Sequence, residues 1–516
     1  MIMSEESRET GKTAQQHNIM AAKAVAATVR TTLGPKGMDK MLVDASGDIT
    51  VTNDGVTILQ EMHIEHPAAK MVVEIAKTQE DTVGDGTTTA VVLAGELLKN
   101  AESLLDQKVH PTMVAKGYRL AETKTQHVLQ QIAQPVSLES ETLLRNIAIT
   151  AMTGKGAETN RGQLADLVVN AALHVQGDRE QIKVQSLVGE RAQQSELLHG
   201  LVLEKERVHP GMPASIENGK VALLNCPLEI RNTEIDAKIH ITDPTQLNAF
   251  LEQEEQSLRE MVAHIQGTGA TVIFCQKGID EMAQHFMAKY GIFAARRISK
   301  SDMEMLAHVT GGTIVNNWKE LSGDDLGFAG SIMQQKYADD DMILISKCDN
   351  ANAVTLLIRG ATEHIAAEIT RAVTDAVGDV CASIGGKIVA GAGSVEMELA
   401  KELRSYASEL HGREQLAVSA FADALEVIPR TLAENAGLDP IDVLVALRAA
   451  HDAGQVWAGV NVFTGKVMDA WNMGVLEPLK IKTQALSSAA EVAEMILRID
   501  DVILRGPVKE EEPSLG

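Results

Sequence analysis

A glycine-rich segment with one acid and three hydroxyl side chains stands directly before the most apolar run of the chain. The segment TVGDGTTT occupies residues 82–89, and the apolar run extends over residues 90–98. A turn of this kind opens onto a helix N-terminus, where free backbone N–H groups and the helix dipole attract an anion. We interpret the segment as a phosphate-binding loop in which Asp85 holds the magnesium ion of a nucleotide, because magnesium prefers hard oxygen ligands. An ordinary capped helix is the alternative, since Asp and Thr are frequent N-cap residues.

Two further acids complete a pattern that is typical of nucleotide hydrolysis. Asp54 follows a hairpin that the sequence predicts over residues 41–52, and Asp375 lies in a helix predicted over residues 363–383. Hydrolysis needs one acid on magnesium and others that orient a water molecule in line with the γ-phosphate. The spacing of the three acids leaves open whether they converge, and a plain Asx-turn is the alternative for Asp54.

Three short loops combine glycine with residues that suit a ligand. GPKG stands at 34–37, TGKG at 153–156, and AGAG at 390–393 follows a strand-like run. Glycine lets the backbone approach a ligand closely, and the loop lysine Lys155 can reach a phosphate. Each loop is a weak signal by itself, and a solvated side chain is the alternative for Lys155.

Common nucleotide and hydrolase signatures are missing from the sequence. GKT at 11–13 has Glu6 where the first glycine of a P-loop belongs, and neither H-E-x-x-H nor G-x-S-x-G occurs. HIEH at 63–66 is interpreted as solvated rather than metal-binding, because neighbouring exposed His and Glu side chains are usually hydrated.

Composition excludes several classes of protein. A chain of 516 residues with 45% apolar and 23% charged residues predicts a globular protein of two to four domains. The net charge of −24 argues against a general nucleic-acid or anionic-membrane partner. Four scattered cysteines indicate neither a disulfide framework nor a zinc site, and no run approaches 18 apolar residues. We expect a cytoplasmic protein that neither spans a membrane nor is secreted.

From about Leu201 onward the composition changes. Apolar runs at 221–224, 271–275, 293–295 and 313–315 alternate with helical patterns that include 280–289 and 301–309. This alternation predicts a small parallel α/β domain with both faces of its sheet covered. A helix that starts at Asp243-Pro244 has one broad apolar face, and it either projects as an arm or packs flat on its own domain.

Several motifs closely resemble those of the group II chaperonins, the archaeal thermosome and the eukaryotic cytosolic chaperonin. The motifs are LGPKGMDKM at 33–41, TNDG at 52–55, GDGTTT at 84–89, TGKG at 153–156, RVHPGM at 207–212, NCP at 225–227, FCQKG at 274–278, IPRTLAENAG at 428–437 and VLEP at 475–478. They follow one another in collinear order from about residue 10 to residue 505.

The resemblance implies a multidomain α+β protein with the chaperonin fold. Residues 1–137 and 395–516 would form a mostly helical equatorial domain for ATP and ring contacts, residues 138–204 and 361–394 a small intermediate hinge domain, and residues 205–360 an α/β apical domain that binds substrate. A helical protrusion at about 236–267 would serve as a built-in lid, without a separate co-chaperonin. The hairpin at 41–52 and a strand at 500–504 resemble elements that pair between subunits, and two stacked rings, homo- or hetero-oligomeric, are the family assembly.

The function that the resemblance implies is ATP-dependent folding of unfolded or partly folded polypeptides inside a ring cavity, with ATP hydrolysis driving lid closure. Asp85 would hold Mg²⁺, while Asp54 and Asp375 would orient the attacking water. Lys155 would report the γ-phosphate to the hinge, and Glu477 would contact the ribose. The residues implied to bind the nucleotide are Leu33, Gly34, Pro35, Gly37, Asn53, Gly55, Gly86, Thr87, Thr88, Thr89, Thr153, Gly154, Lys155, Gly391, Ala392, Gly393 and Glu477.

The sequence departs from the family pattern at two glycine motifs and at the tail. Gly-Gly-Gly of the family is Gly391-Ala392-Gly393 here, and Arg-Gly-Gly-Thr is RGAT at 359–362. The methyl group of Ala392 is expected to crowd the nucleotide or to restrict φ. A Gly-Gly-Met-rich tail is replaced by EEEP at 510–513. A second hypothesis is therefore a specialised paralogue that acts as a ring-forming holdase or mixed-ring subunit with weak ATPase activity. A third hypothesis is a small-molecule kinase that forms no ring.

Overall fold

The computed structural model describes residues 7–43, 47, 49–189, 192–230, 244–337, 340–348 and 353–504. Two compact units result, one made of Met1–Val169 with Arg371–Gly516 and the other of Asn170–Thr370. The three-domain division with the boundaries given above stays a prediction. The acidic tail at 509–516, most of the hairpin tip at 44–48 and the first part of the arm, 236–243, lie outside the described residues.

The N-terminal part of the chain is mostly helical. Its elements are β1 (Ser7–Thr10), α1 (Gly11–Arg30), β2 (Lys40–Val43), β3 (Ile49–Thr52), α2 (Gly55–Glu61), α3 (Pro67–Thr82), α4 (Thr87–Asp106), α5 (Pro111–Ile132), β4 (Gln134–Pro135), α6 (Glu141–Met152) and α7 (Arg161–His174). Helix α1 ends at Arg30, after which the N–H groups of Thr32 and Leu33 donate to the carbonyls three residues earlier and tighten the turn.

The middle of the chain alternates strands and helices. Its elements are β5 (Ile182–Val188), β6 (Glu196–His199), β7 (Leu201–Leu203), β8 (Ser215–Leu224), α8 (Pro244–Gly267), β9 (Val272–Cys275), α9 (Glu281–Lys289), β10 (Phe293–Ala295), α10 (Lys300–Thr310), β11 (Ile314–Val315), β12 (Gly327–Tyr337), β13 (Asp340–Ser346) and β14 (Val354–Gly360).

The C-terminal part returns to helices with short strands between them. Its elements are α11 (Glu363–Ser383), β15 (Lys387–Ala390), α12 (Ser394–Glu409), α13 (Glu414–Leu425), α14 (Val427–Asn435), α15 (Pro440–Asp452), β16 (Ala458–Asn461), β17 (Lys466–Asp469), β18 (Leu476–Pro478), α16 (Leu479–Leu497) and β19 (Asp501–Leu504).

Helix α4 is the centre of the first unit's core. Every residue from 90 to 98 is buried, and α1, α3, α13 and α16 pack around this helix. A helix that is apolar on all sides requires such surroundings, which explains the apolar run after the glycine-rich loop. Glu96 is the polar exception, and its carboxylate lies 2.7 Å from the ammonium of Lys99. The packed helix therefore gives the loop at its N-terminus a rigid support.

Small sheets bring distant parts of the first unit together. The predicted hairpin is confirmed as β2 paired with β3, and it leads directly into α2. Strand β15 lies between β18 and β4, while β1 pairs with β19 from the other end of the chain. Pairing of these edges with a neighbouring subunit stays a prediction.

The second unit contains a mixed sheet, and the predicted parallel strands form only one part of it. The strand order is β10-β9-β8-β12-β13-β7, with β11 beside β8. Strands β8 to β11 pair in parallel as predicted, whereas β12 is antiparallel to both β8 and β13. Apolar clusters lie on both faces, with α8 and α9 on one and α10 on the other, so the predicted coverage of both faces is confirmed.

Helix α8 starts at Pro244, and its C-terminal half packs on the sheet domain. Leu258, Val262 and Ile265 are buried in the cluster that also contains α9. This half follows the flat alternative, while the projecting arm stays a prediction for the segment before it.

In the described part of the chain, no helix combines the length and hydropathy that crossing a bilayer would require.

Candidate active site

The N-terminus of α4 presents unsatisfied backbone donors beside a carboxylate. Gly86 is the N-cap with φ +80°, and no side chain caps this helix end. A Cβ atom at Gly86 would lie 2.5 Å from Cγ2 of Ile481, so both the positive φ and the close packing require glycine. The Asp85 carboxylate accepts the Gly86 N–H at 2.8 Å, and the Gln79 amide donates to the Asp85 carbonyl at 2.8 Å. Thr87, Thr88 and Thr89 therefore belong to the helix's first turn, and the N–H groups of that turn are free for an anion.

Asp54 and Asn53 connect the hairpin to this helix end. Asp54 caps α2 by accepting the N–H groups of Val56 and Thr57, so the alternative of a turn-capping role is confirmed for this residue. Its side chain also lines the cavity in front of α4. A Cβ at Gly55 would lie 2.6 Å from the Thr88 hydroxyl, which shows how closely the starts of α2 and α4 approach. Asn53 donates to the carbonyl of Gly154 at 2.7 Å and thereby holds the TGKG loop.

Lys155 joins the two halves of the acidic pattern. Its ammonium lies 2.5 Å from Oδ2 of Asp375 and 3.5 Å from Oδ1 of Asp85. Burial lowers the pKa of Lys155, but the carboxylates of Asp375 and Asp85 outweigh burial and raise its pKa overall. Burial raises the pKa of Asp375 to about 7 even though Lys155 opposes the change. The acids that the sequence leaves almost three hundred residues apart thus converge on one lysine.

Two more acids in this region escape the sequence analysis. Glu80 on α3 has a pKa raised to about 8, first by burial and then by Asp375, Asp54 and Asp85. Asp379, one turn after Asp375 on α11, is 2% exposed and lines the same cavity. Burial, with Asp85 adding to it, raises the pKa of Asp379 well above its usual range. The available signal for Asp379 was its position at i+4 of Asp375, which places both acids on the same side of one helix.

Two adjoining cavities occupy the site. The smaller has a volume of about 180 Å³, and it is lined by Thr32, Leu33, Gly34, Asn53, Asp54, Gly55, Asp85, Gly86, Thr87, Thr88, Thr89, Thr150, Ala151, Thr153, Gly154, Lys155, Asp379, Glu477 and Ile481. The larger has about 420 Å³ and is mostly apolar, with Pro35, Ala392, Gly393, Ile428, Val460, Val462, Phe463 and Met468 among its lining residues. Leu33, Gly34, Thr89, Thr150, Thr153 and Glu477 line both. Neither wall includes Gly37, Gly391 or Asp375, and Asp375 is connected to the smaller cavity through its contact with Lys155.

A buried ion-pair triad lies beneath the larger cavity. The ammonium of Lys482 is 2.9 Å from Oε1 of Glu396 and 2.7 Å from Oε2 of Glu477. Lys482 and Glu396 are 5% and 2% exposed. Burial raises the pKa of Glu477, and Lys482 counteracts part of this effect. Lys482 therefore fixes the carboxylate at the junction of the two cavities, and neither Lys482 nor Glu396 was apparent from sequence.

Ala392 adopts the left-handed conformation that the family glycine permits. Its φ is +57°, and the following Gly393 has φ +74°. Its carbonyl accepts the N–H of Val460 at 3.0 Å, which ties the turn to β16. The expectation that φ matters at this position is confirmed, and the alanine accepts a conformation that costs about 1–2 kcal/mol relative to glycine.

The donor set fits a nucleotide with its magnesium ion. Carboxylate oxygens, free N–H groups and one ammonium converge on the smaller cavity. No group of three His, Cys, Asp or Glu side chains within the described ranges could hold a metal ion alone. Such a site suits magnesium shared with phosphate oxygens, because that ion usually takes only one or two protein carboxylates.

At 63–66, His63 lies 3.2 Å from Glu65 with both side chains exposed, so the solvated interpretation is confirmed.

Comparison with known proteins identifies the family. The model of the TCP-1/cpn60 chaperonin family matches residues 25–507. A thermosome subunit of Methanopyrus kandleri is 59% identical over 505 residues, which cover 96% of this chain and 93% of that protein. The thermosome subunit beta of Methanothermobacter thermautotrophicus is 58% identical, with coverage of 96% and 93%. The open-state monomer of a group II chaperonin from Methanococcoides burtonii has 45% identity and a TM-score of 0.63, covering 81% of this chain and all of that one (100%).

The chain therefore belongs to the TCP-1/cpn60 chaperonin family. Within that family its relatives are group II chaperonins, which confirms the resemblance and the chaperonin fold class. Its function is that of an ATP-dependent molecular chaperone, and neither the holdase nor the kinase alternative is favoured.

Proposed function

We propose that this chain binds Mg²⁺ and ATP across the two adjoining cavities and hydrolyses the ATP to drive a folding cycle. The observation that supports this most directly is that Asp54, Asp85 and Lys155 line one cavity at the free N-terminus of α4, while Asp375 lies 2.5 Å from the ammonium of Lys155. The apolar cavity of about 420 Å³ beside them falls within the usual size range of small-ligand pockets.

The apolar cavity and the polar cavity would bind different parts of the nucleotide. The base would lie in the larger cavity, whose wall includes Ala392, Gly393 and Val460. Glu477, held by Lys482, stands where the ribose hydroxyls would meet a carboxylate. The phosphates would bind at Gly86 to Thr89, where the N–H groups of Thr87 to Thr89 are free and a helix N-terminus favours an anion. Gly34, Pro35 and the TGKG loop would enclose them, while Gly37 and Gly391 would act through the backbone of their loops.

Asp85 would hold the magnesium ion. The bound ion would neutralise charge on the phosphate oxygens. Asp54 and Asp375 would orient the attacking water and accept its proton, and a pKa of about 7 suits Asp375 to that task near neutral pH. Lys155 would exchange its contact with Asp375 for one with the γ-phosphate.

The finer assembly and cycle are part of the proposal. Relatives named thermosome subunits support an oligomeric chaperonin. Two stacked rings would enclose unfolded polypeptides, with the part of 236–267 that precedes the packed half of α8 as the lid and no separate co-chaperonin. Hydrolysis would move the proposed intermediate domain, 138–204 and 361–394, because that segment contains both Lys155 and Asp375. The proposed location is the cytoplasm.

Steady-state hydrolysis with and without magnesium tests the enzymatic proposal. Wild type is expected to hydrolyse ATP only with magnesium, and Asp375→Ala is expected to lose hydrolysis while it retains nucleotide binding. Asp166→Asn is the matched control, because Asp166 is half exposed and its partner Arg145 lies outside both cavities. Equal and negligible rates for wild type and Asp375→Ala would refute the ATPase. Native mass measurement tests the rings, and a stable monomer would contradict them.

A further inference from the structure

Asp379 is a buried carboxyl group that the proposed reaction does not use. It follows Asp375 by four residues on α11, so the two side chains lie on one face of the helix. Asp379 is 2% exposed, and its Oδ1 has no hydrogen-bond partner among the described residues. The residue lines the smaller cavity together with Asp85 and Lys155. A residue with an unpaired carboxyl oxygen thus borders the space in which the phosphates and their cation would bind.

In the part of the chain that the structure describes, the Asp379 carboxyl group lacks a cationic partner of its own. Lys155 is engaged with Asp375 at 2.5 Å and with Asp85 at 3.5 Å. Among the described residues Asp379 forms no ion pair, and Lys155 only partly offsets the rise in its pKa. A buried carboxylate without a partner is costly, so a chain that retains one needs a compensating group. Burial together with Asp85 raises the pKa of Asp379, as expected for a carboxyl group whose cation has not yet bound.

We propose that Asp379 is a second protein ligand, besides Asp85, of the divalent cation that accompanies the nucleotide. This inference rests on the proposed function. Magnesium commonly takes one or two carboxylates and completes its shell with phosphate oxygens and water. Two carboxylates agree with the absence, in the described part of the chain, of any ready-made group of three ligands. Binding of the cation would favour the ionised form of Asp379.

The test uses the full chain with Mn²⁺ as a spectroscopic probe and a non-hydrolysable ATP analogue. Electron paramagnetic resonance measures Mn²⁺ affinity at saturating analogue for wild type, Asp379→Asn and Asp379→Leu. Both variants are expected to bind Mn²⁺ about 10–100-fold more weakly, a loss at least as large as outer-shell substitutions cause. Their affinity for the analogue without any metal should equal that of wild type. Asp166→Asn is again the control, since its side chain is 54% exposed.

Folding of the variants is checked separately. Replacing an unpaired buried carboxyl group by Leu removes a desolvation cost, so Asp379→Leu should be at least as stable as wild type. Lower stability of both variants would indicate a structural role and overturn the proposal.

Two other results would also overturn it. Unchanged Mn²⁺ affinity in both variants excludes a ligand role, and weaker binding of metal-free analogue identifies Asp379 as a protonated donor to phosphate instead. Asp85→Asn separates this inference from the function on which it rests. If wild type itself bound no Mn²⁺ with the analogue, or if Asp85→Asn had no effect, the proposed function would fail rather than the role of Asp379.

Discussion

Removing the ammonium of Lys482 should destabilise the floor of the nucleotide site strongly. Lys482 supplies the positive charge between Glu396 and Glu477, at 2.9 and 2.7 Å. Glu396 is 2% exposed, and Lys482 is the one hydrogen-bond donor to its side chain in the described part of the chain. The substitution Lys482→Met keeps the length of the side chain and leaves both carboxylates without a cation. Breaking a buried ion pair in this way typically costs about 3–5 kcal/mol.

The cost should appear locally, because a chain of this size is not expected to unfold in one step. Native-state hydrogen exchange, read on peptides from α12, β18 and α16, measures the free energy of local opening. A loss of about 3 kcal/mol or more corresponds to exchange on the order of a hundredfold faster. ATP affinity should fall in parallel, because the Glu477 carboxyl group would take up a proton and lose its fixed orientation.

A double variant provides the control. Adding Glu396→Gln to Lys482→Met removes the most deeply buried charge, so most of the lost opening free energy should return, since a neutral amide costs less to bury than a carboxylate. ATP affinity should recover less, because Glu477 stays without its cation. Exchange rates for Lys482→Met equal to those of wild type would refute the assignment of Lys482 as the support of Glu477.

Three further predictions concern the walls of the site. Ala392→Gly should raise the free energy of local opening around β15 and α12 by about 1 kcal/mol or less. The reason is that relief of the left-handed φ of +57° exceeds the entropy that glycine adds to the unfolded chain. Slower hydrogen exchange in these elements would confirm the prediction, and faster exchange would contradict it. The ratio kcat/KM for ATP should fall about tenfold per pH unit below pH 7, since Asp375, with a pKa of about 7, must be ionised to accept a proton; a flat profile between pH 6 and pH 8 would exclude it as the base. Lys155→Met should increase the affinity of the nucleotide-free protein for Mn²⁺, because a competing cation is removed, and it should weaken ATP binding. Titration with each ligand alone measures both affinities. Weaker Mn²⁺ binding by the variant would refute the idea that Lys155 competes with the metal ion.

Local motifs of the site were predictable, whereas its long-range partners were not. The GDGTTT run specifies a turn and a helix start by residue type alone, so Asp85 and the threonines follow from sequence. Lys482 and Glu396 lie in periodic helices that give no sign of a shared ion pair, since their contact depends on how α12 and α16 pack. The antiparallel strand β12 was missed for a similar reason, because glycine and polar residues weaken the apolar run by which a buried strand is recognised.

Lys155 explains why magnesium and ATP should bind together rather than separately. In the nucleotide-free protein its ammonium is the one cation, within the described residues, that contacts both Asp85 and Asp375. Magnesium alone would have to displace this ammonium without giving it another partner, and ATP alone would bring phosphate charge toward unneutralised carboxylates. When both bind, the ion would pair with Asp85 and the γ-phosphate with Lys155. Displacement of Lys155 would also release Asp375 for the water, which would make the base available only when the substrate is complete.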